Sequence, residues 1–109
     1  MDTLDALEAF HGQFLAMSQD AFARGCQLPF RLTLTNGDGR VISTAHVEAA
    51  NPVQGDSVMF EASIEDKIPR EELWEAPEDQ IFKLPLTITL TDKTGRNLSL
   101  SFSGEERTQ

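Results

Sequence analysis

The chain has 109 residues, 39% of them hydrophobic, and nine basic against eighteen acidic residues give a formal charge of −9. That length suits one α+β or similar domain, residues 1–109, with room for only a small interior cavity, and the charge argues against nucleic acid and anionic membrane as partners. A lone cysteine, Cys26, no basic residue before Arg24 and no long apolar run lead us to expect a cytoplasmic protein without a cleaved leader or membrane span.

From Asp2 to Arg24, Leu4, Leu7, Phe10, Phe14, Leu15, Met17, Ala21 and Phe22 recur at helical spacing and predict an amphipathic helix with one broad apolar stripe. Asp2 or Thr3 can cap its start, and Gly25 is placed to end it. Sliding the chain against itself by 56 residues then aligns Leu28–Ser43 with Leu84–Ser99, with eight of sixteen residues identical. Gly39 and Gly95 coincide where hairpin loops need a left-handed residue, so the two segments read as similar β-hairpins. Duplication and shared turn chemistry explain the likeness equally well.

Between the hairpins, Val58, Phe60, Ala62 and Ile64 alternate with Met59, Glu61, Ser63 and Glu65, which predicts a further strand after turn signals at Asn51-Pro52 and Gly55-Asp56. Pro69 then opens a short helical turn that Pro77 closes. In the second hairpin Phe82, Leu84, Leu86, Ile88 and Leu90 alternate with polar residues, followed by Leu98, Leu100 and Phe102 among serines. The predicted fold is α+β: an N-terminal amphipathic helix across one face of a five-stranded antiparallel sheet, made of two similar hairpins plus one strand, with a short helix between strands 3 and 4.

No nucleotide-binding glycine pattern, paired cysteine set or zinc-protease helix is present, so no catalytic residue, metal ligand or cofactor is assigned. Asn36-Gly37-Asp38-Gly39 has the look of a calcium loop but lacks the remaining oxygen ligands, and a tight turn explains it. His11 falls in the helix stripe. If the register of the second hairpin applies to the first, Ile42, Thr44 and His46 point inward, and His11, Thr44 and His46 line a polar pocket between helix and sheet. The same register turns Val41, Ala45, Val47 and Met59 outward as an apolar patch for self-association or a partner, whereas a β-bulge returns them to the core.

Residues 61–79 hold eight acids against Lys67 and Arg70, which is −6 of the total charge. Glu71, Glu72, Trp74 and Glu75 within this stretch form a candidate surface for a protein partner with a basic face, while a solvated face is the plain alternative. Element order and acidity together resemble class I type III secretion chaperones, and the resemblance implies a dimer that binds an effector segment. The helical pattern that family carries after its last strand is missing here. Three functions are therefore open: a non-catalytic protein-interaction module, including immunity-type inhibition of a basic toxin; a small-ligand or enzymatic domain using the histidine pocket; and a chaperone-like dimer.

Overall fold

The computed structural model describes residues 3–53, 58–75 and 81–102, without the side chains of residues 3–6, 70, 73 and 74. The expected cap Asp2, the turn residues Gly55 and Asp56, the terminator Pro77 and the acids Glu78 and Asp79 lie outside these residues, as do the side chains of Thr3, Leu4 and Trp74. One long helix, α1 (Thr3–Ala23), is followed by strands β1 (Phe30–Thr35), β2 (Val41–Pro52) and β3 (Val58–Asp66). A six-residue helical segment, α2 (Arg70–Glu75), precedes β4 (Leu86–Thr91) and β5 (Asn97–Phe102). All neighbouring strands are antiparallel, and the sheet order is β3-β2-β1-β4-β5.

Helix α1 buries Leu7, Phe14, Met17 and Ala21 against the sheet, whose inner face supplies Phe30, Leu32, Leu34, Ile42, Ala45, Val47, Leu86, Ile88 and Leu90. Each large side chain removed from water here contributes about 1.5–3 kcal/mol, more than any exposed ion pair on the molecule. The helix stops where the amide of Cys26 donates to Ala21 O at 3.0 Å and that of Gly25 donates to Phe22 O at 3.2 Å. Gly25 takes a φ of 88° there, and buried Cys26 packs as the apolar residue that accompanies such a stop.

The central pair is β1 with β4, and its register places Thr33 opposite Thr89. These two threonines are each other's counterparts at the 56-residue offset, so a local two-fold axis passes between them. The turns on either side obey the same symmetry. In the first, Asn36 N donates to Arg40 O (2.9 Å), Gly39 N donates to Asn36 O (2.9 Å), and Asn36 Oδ1 accepts from the amides of Asp38 and Arg40. In the second, Asp92 N donates to Arg96 O (2.9 Å), Gly95 N donates to Asp92 O (3.1 Å), and Asp92 Oδ1 accepts from the amides of Thr94 and Arg96. Gly39 and Gly95 have φ of 83° and 94°, a region closed to β-branched residues.

Each turn is also bonded to the segment leading into the other hairpin. Gly37 N donates to Lys83 O (2.7 Å) and Asn36 Nδ2 to Ile81 O (2.8 Å), while Lys93 N donates to Gln27 O (2.9 Å) and Gln27 N to Asp92 Oδ2 (2.9 Å). The approach at Gly37 is so close that a Cβ there would run into the Leu84 carbonyl, whose carbon lies 2.8 Å away. Both lead-ins contain a cis Leu-Pro bond, at Leu28-Pro29 and Leu84-Pro85. Leu84, expected to face the core, is 50% exposed because β4 begins only at Leu86.

The register of β2 departs from the expected one. Ile42 is an extra residue between the pairs Thr35↔Val41 and Leu34↔Ser43, so alternation restarts and Ile42 and Ser43 are both fully buried. Ala45 and Val47 therefore point into the core at 2% and 3% exposure, whereas His46 points outward. A second shift between Val47 and Ala49 resets the pairing with β3. Both are β-bulges, which change the face presented by every residue beyond them.

Two substitutions test the turns. Gly39→Val and Gly95→Val should each destabilise the fold by about 1–3 kcal/mol in urea titrations. Asn36→Asp should cost about 1–3 kcal/mol, because a carboxylate oxygen would replace the donor now bonded to Ile81 O. Unchanged midpoints for all three would contradict these turn assignments.

Candidate functional site

Strand β3 ends the sheet, and Glu61, Glu65 and Asp66 on it are exposed. Glu61 accepts a 2.7 Å hydrogen bond from Asn51 Nδ2, and Glu65 pairs with Lys67 at 3.1 Å. In α2, Glu71 and Glu75 face solvent, whereas Glu72 is held by Arg40 through two hydrogen bonds of 2.7 and 2.8 Å. Those bonds lower the Glu72 carboxyl below its ordinary value against a smaller opposing effect of burial, and they raise the Arg40 guanidinium in turn. Glu72 thus fastens α2 to the first turn. The side chain of Trp74 lies outside the described residues.

The structure does not bring His11, Thr44 and His46 together. His11 is half-buried on α1, and its Nε2 lies 3.0 Å from Asp66 Oδ1, which also accepts a 2.9 Å hydrogen bond from the Ser43 hydroxyl. Ser43 is thus a buried hydroxyl with partners, and the cluster ties helix to sheet. His46 and Thr44 lie on the other face, because the bulge at Ile42 reverses the register that would have turned them inward. The serine donates to the carboxylate rather than to the imidazole, so the trio is not arranged for nucleophilic catalysis.

The expected outer patch of Val41, Ala45, Val47 and Met59 is likewise not assembled. Ala45 and Val47 belong to the core, Val41 is 37% exposed opposite Thr35, and Met59 is 62% exposed opposite Asn51. Val41 and Asn51 stand at the two ends of β2, so the remaining exposed residues are far apart. What occupies the outer face instead is a polar spot that sequence reading missed, where basic side chains stand beside the Asp92 carboxylate. Arg31 is paired across the sheet with His46 on one side and Thr91 on the other, and Arg31, His46 and Lys93 line one shallow depression. The signal lay in the β1–β4 pairing, which the 56-residue repeat hints at without fixing.

Among the described residues, Asp92 is the most perturbed acid. Burial alone would raise it, but hydrogen bonds from Gln27 N, Thr94 Oγ1, Arg96 N and Thr94 N outweigh this and hold its pKa at about 2. It serves the turn, and its oxygens are used within the fold. Among the described residues no group of three or more His, Cys, Asp or Glu side chains could hold a metal ion, and no helix is long and apolar enough to cross a membrane.

Two measurements check these placements. His46→Ala should change stability by less than about 0.5 kcal/mol, whereas His11→Ala should cost about 0.5–1.5 kcal/mol through its lost bond to Asp66. Equal losses would contradict the opposite placement of the two rings. Folding favours the ionised form of Asp92, so its stabilisation is complete above an unfolded value of about 4 and is lost as pH falls toward about 2. Asp92→Asn should be less stable than the parent at neutral pH, and its urea midpoint should fall less between these limits. Parallel pH curves would contradict the assignment.

Searches against protein-family models, curated proteins and solved structures give no match to this chain.

Proposed function

We propose that this chain is a single-domain, cytoplasmic, non-catalytic protein-interaction module whose partner-facing surface is the acidic stretch 61–79. The observation that supports this best is the exposure of Glu61 and Glu65 on β3 and of Glu71 and Glu75 on α2, within a stretch that supplies −6 of the −9 net charge. Such a surface steers a basic partner into contact and disfavours acidic ones. The two similar hairpins fit this reading as a scaffold in the same sheet, at whose end β3 lies.

Affinity capture from native lysate at low and high salt, followed by titration of the retained protein against the purified chain, tests the proposal. Binding should weaken as ionic strength rises. Replacing Glu61, Glu65, Glu71 and Glu75 together by Gln should reduce affinity about tenfold, roughly 1.4 kcal/mol, with melting unaltered. Salt-independent binding that survives the four substitutions would leave the stretch as a solubility device.

A further inference from the structure

A helix is about 10 Å wide, and five strands spaced by about 4.8 Å make a sheet of roughly 24 Å. Packed on β1 and β4, α1 cannot also cover the edge formed by β3. The helix and this strand run antiparallel and meet at two points: His11 with Asp66 at 3.0 Å, and Phe22 edge-on to Phe60 with ring centroids 5.9 Å apart. Between these points Leu15, 49% exposed, lies by helical spacing on the same flank as His11 and Phe22. Exposed Ala62 and Ile64, the latter at 44%, stand on the facing side of β3. A half-open apolar channel therefore follows a nine-residue terminal strand.

The other face of the same strand carries Glu61, Ser63 and Glu65. Alternate residues thus offer apolar contact on one side and negative charge on the other. A second copy pairing through β3 would set these acids against one another, which is unfavourable. The opposite edge, β5, has only Asn97, Ser99 and Ser101 at its polar positions. Charge therefore selects both the edge and its occupant.

We propose that β3 is a docking edge for an extended segment of a partner protein in which apolar and basic residues alternate, added to the sheet as a sixth strand. The inference rests on the reading above that the acidic stretch recruits a protein, and it specifies the partner's chemistry. Apolar side chains enter the channel against Phe60, Ala62, Ile64, Leu15 and Phe22. Basic side chains lie opposite Glu61 and Glu65, four residues apart along the strand. Main-chain hydrogen bonds supply affinity and the alternating contacts supply specificity. The present partners of these acids, Asn51 and Lys67, hold them in exposed contacts that exchange at little cost.

The test uses a capped synthetic peptide, valine-lysine-valine-threonine-valine-lysine-valine, titrated into isotope-labelled full-length chain and followed by NMR. Its palindromic order fits β3 in either direction. The expected result is saturable binding with the largest shifts along residues 58–66 and at Leu15 and Phe22. A peptide of the same composition ordered lysine-valine-valine-threonine-valine-valine-lysine, and one N-methylated along its pairing edge, should each bind at least tenfold more weakly. Ile64→Glu and Leu15→Glu, both at exposed positions, should reduce binding similarly without changing melting. Equal binding of the reordered peptide, with shifts centred on Glu71 and Glu75, overturns strand addition while leaving acidic recruitment standing. No binding by any peptide also overturns strand addition, and the lysate partner's response to salt then decides the broader reading on its own.

Discussion

The two hairpin turns are held in place by bonds each makes to the segment leading into the other hairpin, and the rest of the fold depends on this reciprocal grip. Gly37 and Asn36 bind the backbone at Lys83 and Ile81, and Lys93 and Asp92 bind it at Gln27. The anchoring side chains, Asn36 and Asp92, are each only 5% exposed, and both polar atoms of each are hydrogen-bonded. Once both grips are made, β1 and β4 have one allowed register, with Thr33 against Thr89. That register sends Leu32, Leu34, Ile88 and Leu90 to the helix side together, where all four are fully buried. The helix then has a single apolar surface on which to settle.

Placing the helix at the centre leaves the sheet's edges to be managed separately. A helix-and-sheet pair of this size cannot cover five strands with one helix, so the outer strands keep apolar side chains partly in water, as Ile64 and Leu100 do. On β3 the same residues that leave the edge open are interleaved with acids, which blunts uncontrolled pairing between copies while leaving an oppositely charged segment free to approach. The bridge from Arg40 to Glu72 carries this acidic surface back to the first turn. The α2 part of the proposed interaction surface is thereby fixed to the first hairpin turn.

How much of this was legible from sequence depended on the range of the interaction concerned. An α+β fold with one long helix and an antiparallel sheet is written in local periodicity, in the 3.6-residue recurrence from Leu7 to Ala21 and the strict alternation from Leu86 to Leu90. The bulge at Ile42 is not written there. Val41-Ile42-Ser43-Thr44-Ala45 reads equally well in either register, and only the fit of Ile42 and Ser43 into the core decides it. That one extra residue separated His46 from His11 and dispersed the expected apolar patch. Leu15 and Phe22, which belong to the helix stripe by spacing, are 49% and 41% exposed because α1 sits over β1 and β4 and meets β3 on that flank only through His11 and Phe22. The partners of His11 and Glu72 were invisible for the same reason, since Asp66 and Arg40 reach them only through the finished topology.

Native-state hydrogen exchange at two amides, Gly37 and Lys93, tests the reciprocal grip most directly. Both protons sit in turns, where amides ordinarily exchange through local opening. If the two turns hold the central strand pair in register, these amides should exchange only through global unfolding, with the same protection as Leu32 and Leu90 and the same denaturant dependence. Fast exchange at either turn, independent of denaturant while the β1 and β4 amides stay protected, would show that the sheet keeps its register without the grip and would contradict the account.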